Sequence, residues 1–273
     1  MLIIAIGINN TMINNINKIT RLKLTNSMLE SSIFDQLVFN TSVNKVFIFI
    51  INLTSHINNI STYWEYLSIQ EKIKATKYHT EYLSNKYIMS HGILRYILSF
   101  YTTQHPQKIE FNYNEYGKPF LKNSNIQFNM SHSHNMVSYM IALNYRVGID
   151  IELHDKNLNI EELAGYVLTP EEHKYLSSLK PRDKLSFFYT FWTKKEALVK
   201  AIGQGLSYSI NTIEVMRLLP GKGILLNDVN NELSQQWYCY ELEAPENYSG
   251  AIGIENKIDE IVYLEMNNQQ NNF

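Results

Sequence analysis

The stretch V-G-I-D-I-E-L, Val147 to Leu153, alternates strictly. Val147, Ile149 and Ile151 fall on one side and Gly148, Asp150 and Glu152 on the other. A period of two predicts a strand that buries its apolar side and presents both carboxylates together on the opposite side. Residues 46–53, V-F-I-F-I-I-N-L, are too few to cross a bilayer as a helix and are rich in branched and aromatic side chains, which predicts a buried strand. Shorter strands are predicted near residues 108–113, 138–143, 212–218, 237–242, 248–255 and 261–264. Helical spacing takes over in 67–101, 160–165, 170–179 and 182–202. In the last of these, Trp192, Glu196 and Lys200 recur at four-residue intervals, so their side chains rise along one helix face.

This order describes an α+β chain in two strand-helix-strand halves, residues 45–147 and residues 148–266. Residues 1–44, with repeated Asn, Thr and Ser, read either as a small additional lobe or as a loosely packed extension. The closing N-N-Q-Q-N-N-F, residues 267–273, is low in complexity and is expected to fray.

Composition narrows the class without choosing within it. A chain of 273 residues with 45% hydrophobic content can bury a substantial core. A formal net charge of -2 lacks the basic excess of a general nucleic-acid binder. The single cysteine, Cys239, sits among aromatics in W-Y-C-Y, excludes an internal disulfide and fits a reducing cytoplasm. The apolar start M-L-I-I-A-I-G-I is short and lacks a leading positive region, so neither a signal peptide nor a membrane anchor is expected.

Three carboxylates and a lysine on rigid elements suggest a site for a hard cation and a phosphate. Magnesium prefers oxygen ligands and is usually held by one or two carboxylates, with substrate phosphates and water completing an octahedron. Asp150 and Glu152 meet that demand. A lysine one turn from a third carboxylate, as Lys200 is from Glu196, suits stabilisation of a departing phosphate. Each feature also has a plainer reading. Glu196 and Lys200 are spaced as a surface salt bridge, and Asp150 and Glu152 as the outer face of a sheet strand. Gly117-Lys118-Pro119 reads as a turn, and His132 in S-H-S-H-N as a loop hydrogen-bonder. Lys74 and Lys86 read as the solvated face of an amphipathic helix, and Glu172 as the acid of a capping box opened by Thr169 and Pro170. No G-x-x-x-x-G-K-S/T loop is present to support an unrelated magnesium-dependent phosphotransferase.

Taken together, V-G-I-D-I-E and F-x-x-x-W-x-x-K-E-A-x-x-K-x-x-G-x-G-L resemble the signature of the 4'-phosphopantetheinyl transferases. Phe188 and Trp192 supply its start, Lys195, Glu196 and Ala197 its core, and Lys200, Gly203, Gly205 and Leu206 its end. The gap from Glu152 to Trp192 and the total length are similar to the larger, surfactin-type (Sfp-like) class rather than to the short, trimeric acyl-carrier-protein synthases. N-E-Y-G-K-P-F, Asn114 to Phe120, resembles the family's Gly-Lys-Pro element, and F-N-M-S-H-S, Phe128 to Ser133, its F-N-x-S-H-S element. L-S-I-Q-E-K-I-K-A-T-K-Y, followed by Lys86 and Arg95, resembles its basic helical region.

The resemblance implies two similar α+β lobes related by approximate twofold pseudosymmetry, with coenzyme A in the cleft between them. It implies that Asp150, Glu152 and Glu196 hold magnesium, with manganese as the alternative. It assigns Lys74 and Lys86 to the adenosine 3'-phosphate, and Lys118, Pro119, Ser131 and His132 to the nucleotide and pyrophosphate. Glu196 is the implied base for a carrier-protein serine, and Lys200 the implied aid to departure of adenosine 3',5'-bisphosphate. The implied partners are carrier proteins or carrier domains of nonribosomal peptide and polyketide synthases, met by a cytoplasmic monomer that binds no nucleic acid or membrane. Residues 153–179, which join the metal strand to the signature helix, are the candidate docking region. Glu172 resembles an additional family acid, although Leu168-Thr169 stands where Phe-Ser is common. A non-catalytic coenzyme A- or carrier-binding homologue is the alternative; it predicts loss of an acidic ligand or of Lys200, and none is missing.

Overall fold

The computed structural model describes residues 18–24, 44–216, 224–228 and 231–266. The tail expected to fray, residues 267–273, lies outside the described residues, as does most of the asparagine-rich segment 1–44. The described elements run β1 (Lys18–Leu24), β2 (Lys45–Asn52), α1 (Ile60–Tyr66), α2 (Ile69–Ala75), α3 (Glu81–Thr102), β3 (Phe111–Tyr113), β4 (Pro119–Leu121), β5 (Ile126–Ser133), β6 (Met136–Leu143) and β7 (Val147–Leu153). They continue through α4 (Ile160–Val167), α5 (Pro170–Ser178), α6 (Pro181–Ile202), β8 (Ile224–Asp228), β9 (Asn231–Glu241), β10 (Tyr248–Ile254) and β11 (Glu260–Met266). The chain is of mixed α+β class.

One sheet has the order β1-β11-β2-β6-β5 and a second the order β7-β10-β9-β8, while β3 and β4 form a small ribbon. The last strand, β11, returns to the first sheet and runs parallel to both β1 and β2. Strand alternation divides the core. Phe47 and Phe49 of β2 join Ile93, Ile97 and Leu98 of α3, whereas Val46 and Ile48 face Val147, Ile149, Ile252 and Ile254 of the second sheet. The second sheet then carries α6 on its other face, where Trp237 packs with Phe188, Leu198 and Ala201. The result is helix, sheet, sheet, helix.

Helix α6 sits close to its sheet because two glycines face it. Gly148 and Gly253 are register partners on β7 and β10. A Cβ on Gly253 would lie 2.7 Å from Ala197 O, and one on Gly148 would collide with Ala197 O and Ala201 N. Proline at the start of α6 and Gly203 just past its end, at φ 87°, set its limits.

Residues 212–218 were expected as a strand and do not form one where described. A 3-10 turn covers Ile210–Thr212, residues 213–216 pair with no strand, and 217–218 lie outside the described residues. Ile213 and Val215 are buried as alternation predicts. The backbone amides go to side chains instead, Val215 N to Glu172 Oε1 and Met216 N to Glu214 Oε1. In 108–113 only Phe111–Tyr113 is strand, since Pro106 opens a short 3-10 turn first. Strand β5 runs through the segment where a loop was expected, and it carries His132.

Candidate active site

Strands β5 and β7 lie face to face across a seam of polar side chains. Asn129, Ser131 and Ser133 alternate along β5, so all three point to the same side. Asn129 Oδ1 accepts from Ile149 N at 2.9 Å, Ser131 Oγ donates to Asp150 Oδ1 at 2.8 Å, and Ser133 Oγ donates to Glu152 Oε2 at 2.7 Å. The same Ser133 Oγ accepts from Leu153 N at 3.0 Å. The F-N-x-S-H-S segment thus sets the height of both β7 carboxylates.

Helix α6 brings the third carboxylate and the lysine to this seam. Lys200 Nζ donates to Asp150 Oδ1 at 2.6 Å and to Ser131 Oγ at 3.0 Å. Asp150 is 1% exposed, and its second oxygen, Oδ2, is buried without a hydrogen-bond partner. Burial, reinforced by the Asp150 charge, pushes Glu152 up to about 7 against the lowering effects of Ser133 and Lys200. Burial and then Asp150 also raise the Glu196 carboxyl above its usual range, with Lys200 opposing. Three acids therefore share one field with one lysine among them.

Among the described residues, no three His, Cys, Asp or Glu side chains converge as a closed metal cage requires. Magnesium needs less, because substrate phosphates and water complete its shell. The orphaned Asp150 Oδ2, the neighbouring Glu152 and the raised acids suit a hard divalent cation.

A cavity of about 860 Å³ opens beside the seam, lined by Lys74, Tyr87, His91, Arg95, Gly117, Pro119 and Asn129 among others. Lys74 stands 5.2 Å over the Tyr87 ring, and His91 stacks on the same ring at 3.8 Å. Pro119 lies on this wall. Lys118 does not reach into the cavity with its amine, which donates to Val147 O at 2.9 Å and Ala201 O at 3.0 Å. His132 is exposed on β5. Lys86 lies 5.5 Å over the Tyr82 ring.

Two charged residues have structural posts. Arg95, grouped in the sequence with the basic region, is 2% exposed. Its guanidinium donates to Glu71 Oε2 at 2.6 Å, Pro106 O at 2.8 Å and Ile109 O at 2.9 Å. Glu172 closes the capping box of α5 with Thr169 and pairs with Lys195 at 2.5 Å, both fully buried. Sequence reasoning missed Asn129, Ser133 and His91. For the first two the signal was there, since polar residues at every second position of an apolar segment predict a strand with a functional edge.

The residues from 146 to 253 match the model of the 4'-phosphopantetheinyl transferase superfamily. The 4'-phosphopantetheinyl transferase HetI of Nostoc sp. is 31% identical over 194 residues, covering 69% of this chain and 78% of that protein. The 4'-phosphopantetheinyl transferase gsp of Aneurinibacillus migulanus is 40% identical over 106 residues, 39% of this chain and 43% of that protein. A Bacillus subtilis 4'-phosphopantetheinyl transferase is 31% identical over 112 residues, 40% of this chain and 48% of that protein.

With that extent of likeness laid on the seam of Asp150, Glu152, Glu196 and Lys200, the chain belongs to the 4'-phosphopantetheinyl transferase superfamily, in its Sfp-like class. It is an enzyme of that kind, and it transfers phosphopantetheine to carrier proteins. Among the described residues no helix is long and apolar enough to cross a membrane.

Proposed function

We propose that the chain performs magnesium-dependent transfer of 4'-phosphopantetheine from coenzyme A to a serine hydroxyl of an apo carrier protein, releasing adenosine 3',5'-bisphosphate. The observation that carries this reading is Asp150, whose Oδ1 is held by Lys200 and Ser131 while Oδ2 is buried without a partner. A buried carboxylate oxygen left unpaired is costly, and a cation relieves that cost. Asp150 and Glu152 would hold the metal, magnesium or alternatively manganese, with Glu196, which among the described residues does not converge with them into a three-ligand group, as the third acid of the implied set. When bound, the metal neutralises charge that develops on the pyrophosphate.

The remaining roles fall to the chain's own side chains. Glu196 has no hydrogen-bond or ion-pair partner among the described residues, and its raised pKa suits it to take the proton of the carrier serine. A positioned base of this kind contributes roughly 10²- to 10⁴-fold. The serine oxygen forms its bond to the phosphorus bearing the pantetheine arm, and that phosphorus releases its bridging oxygen, with the electron pair, to the nucleotide. Lys200 has three donors. Two are engaged by Asp150 and Ser131, and the third is directed to the departing bisphosphate. Lys74 and Pro119 on the cavity wall, together with Lys86 and His132, would receive the nucleotide and its phosphates.

The two long helices, α3 and α6, each of 22 residues and each laid on its own sheet, support lobes related by approximate twofold pseudosymmetry. Pairing of β1 with β11 supports reading residues 18–24 as part of the first lobe. Exposed Tyr166 and Tyr175 support residues 153–179 as the carrier-docking region. The carriers we assign are those of nonribosomal peptide and polyketide synthases, served by a cytoplasmic monomer.

Intact-mass spectrometry of an apo peptidyl carrier protein incubated with this enzyme, coenzyme A and magnesium tests the reading. A gain of one phosphopantetheine group is expected, absent with chelator and absent for Asp150→Ala and Glu196→Gln. Coenzyme A binding without transfer to any of several carriers would instead support a non-catalytic homologue.

A further inference from the structure

The turn bordering the cavity is tied by its side chains to the back of the reactive seam. Gly117 and Pro119 line the cavity, while the side chain of Lys118 between them runs the other way, to Val147 O and Ala201 O. Asn114 shapes the turn by accepting from Tyr116 N at 3.0 Å and Lys118 N at 2.8 Å. Its Nδ2 then donates to Gly203 O at 2.8 Å. Backbone bonds from Asn114 N to Lys118 O and from Gly117 N to Asn114 O, each 3.0 Å, close the loop.

The acceptors matter because of where they sit. Ala201 follows Lys200 directly, and Val147 opens the strand that carries Asp150 and Glu152. The last carbonyls of a helix lack intrahelical partners, and a cation there is favoured by the helix dipole. Lys118 and Asn114 supply the missing donors to the end of α6. Gly203 is fitted to this arrangement: at φ 87° it admits few side chains, and a Cβ there would lie 3.1 Å from Lys118 Cδ and 3.2 Å from Asn114 Nδ2. Burial holds the Lys118 amine down to about 7, with Arg146 adding to the shift and Glu255 opposing it. Two of the three Lys118 donors are engaged by these carbonyls, which belong to β7 and α6 and not to the cavity wall.

We propose that Lys118 and Asn114 form a strap that sets the position of Lys200 and Asp150 according to what the Gly117-Lys118-Pro119 turn contacts in the cavity. Lys118 is then a positioning residue, not a nucleotide ligand. The proposal rests on reading the cavity as the nucleotide site.

Calorimetric titration with adenosine 3',5'-bisphosphate, alongside steady-state carrier loading, separates the roles in Lys118→Met, Lys118→Gln and Asn114→Ala. The strap predicts nucleotide Kd and coenzyme A KM within about 3-fold of the parent, with kcat lowered by about 30-fold or more. Circular dichroism identifies any variant that fails to fold, and Asn114→Ala, which keeps the lysine, carries the test in that case. A loss of nucleotide affinity of about 10-fold or more in Lys118→Met, with kcat unchanged, overturns the strap and makes Lys118 a nucleotide ligand. Unchanged nucleotide affinity in Lys74→Ala would overturn the cavity reading and remove the trigger of the strap with it, an outcome distinct from the first.

Discussion

Lys200 reaches from α6 to Asp150 on β7, 2.6 Å away, and makes its ion pair there rather than one turn back on its own helix. The spacing of Glu196 and Lys200 allowed a surface pair; the fold redirects the lysine into the sheet. Asp150 is almost fully buried, so removing Lys200 strands a charge. Lys200→Met is expected to lose about 2–4 kcal/mol in urea denaturation, and the double variant with Asp150→Asn should recover at least half of that. Carrier loading should fall by about 100-fold or more in both, since recovered stability returns neither the carboxylate nor the cation. A single variant of parental stability and rate would remove Lys200 from the site.

Gly148 and Gly253 make the floor on which α6 rests. A methyl group on Gly148 meets backbone atoms of Ala197 and Ala201, which cannot swing aside as a flexible side chain would. Gly148→Ala is therefore expected to cost about 2 kcal/mol or more by overpacking and to lift Glu196 and Lys200 away from Asp150. Thermal unfolding should show the first effect and carrier-loading rates the second. The same change at exposed Gly117, where a Cβ meets nothing within 4 Å but φ is +85°, should cost only the strain of that conformation.

Much of this architecture is legible in the sequence because periodicity reports burial. Strict alternation is enough to put Asp150 and Glu152 on one face of β7, and four-residue spacing is enough to put Glu196 and Lys200 on one face of α6. The 212–218 expectation failed for a reason periodicity cannot see: Ile213 and Val215 are buried, yet the Val215 amide is satisfied by the Glu172 carboxylate and not by a neighbouring strand. Strand β5 alternates as well, with Ile126, Phe128 and Met130 on one side and Asn129, Ser131 and Ser133 on the other, but the pattern does not say that the polar side is covered by β7, where Asn129 and Ser131 are buried. The direction of the Lys118 side chain was equally illegible, because its acceptors lie 29 and 83 residues away.

Glu172 holds three structural posts at once. It accepts from Thr169 N and Val215 N, each at 2.9 Å, and pairs with the fully buried Lys195. Lys195 also donates to Val167 O at 2.8 Å, so the pair fixes α5 and the residues around Val215 to the middle of α6. Breaking it leaves an uncompensated buried charge. Lys195→Met should cost about 3–5 kcal/mol. Glu172→Gln keeps the shape and loses the charge, and should likewise unfold at lower urea concentration. Its kcat per folded molecule should stay within about 3-fold of the parent if Glu172 acts in the fold alone. A magnesium requirement raised by about 10-fold or more in Glu172→Gln would place this acid at the metal instead.

His91 gives the fold a sensitivity to acid whose sign can be worked out. The imidazole stacks on Tyr87 and bonds Tyr87 O at 3.0 Å and Ser90 Oγ at 3.2 Å through Nδ1. Burial drives its pKa down to about 4; the opposing pull of Glu71 and the Tyr87 carbonyl is outweighed, and Lys74 and His132 lower it further. Between about pH 4 and the ordinary histidine value near 6.5, the unfolded chain therefore holds a proton at this site that the folded chain does not. Stability from this group must rise with pH across that window and be lost as pH falls. Glu152 works against it, because a carboxyl raised to about 7 makes the folded state the better proton binder from about pH 4.5 to 7. The two are separated by difference. Urea unfolding of the parent and of His91→Gln at pH 4.5, 5.5, 6.5 and 7.5 should show the variant gaining on the parent toward acid. Because His91 is only half-buried by surface area, the relative gain should be on the order of 1 kcal/mol. Parallel curves across the whole range would mean that the imidazole titrates alike in the folded and unfolded chain.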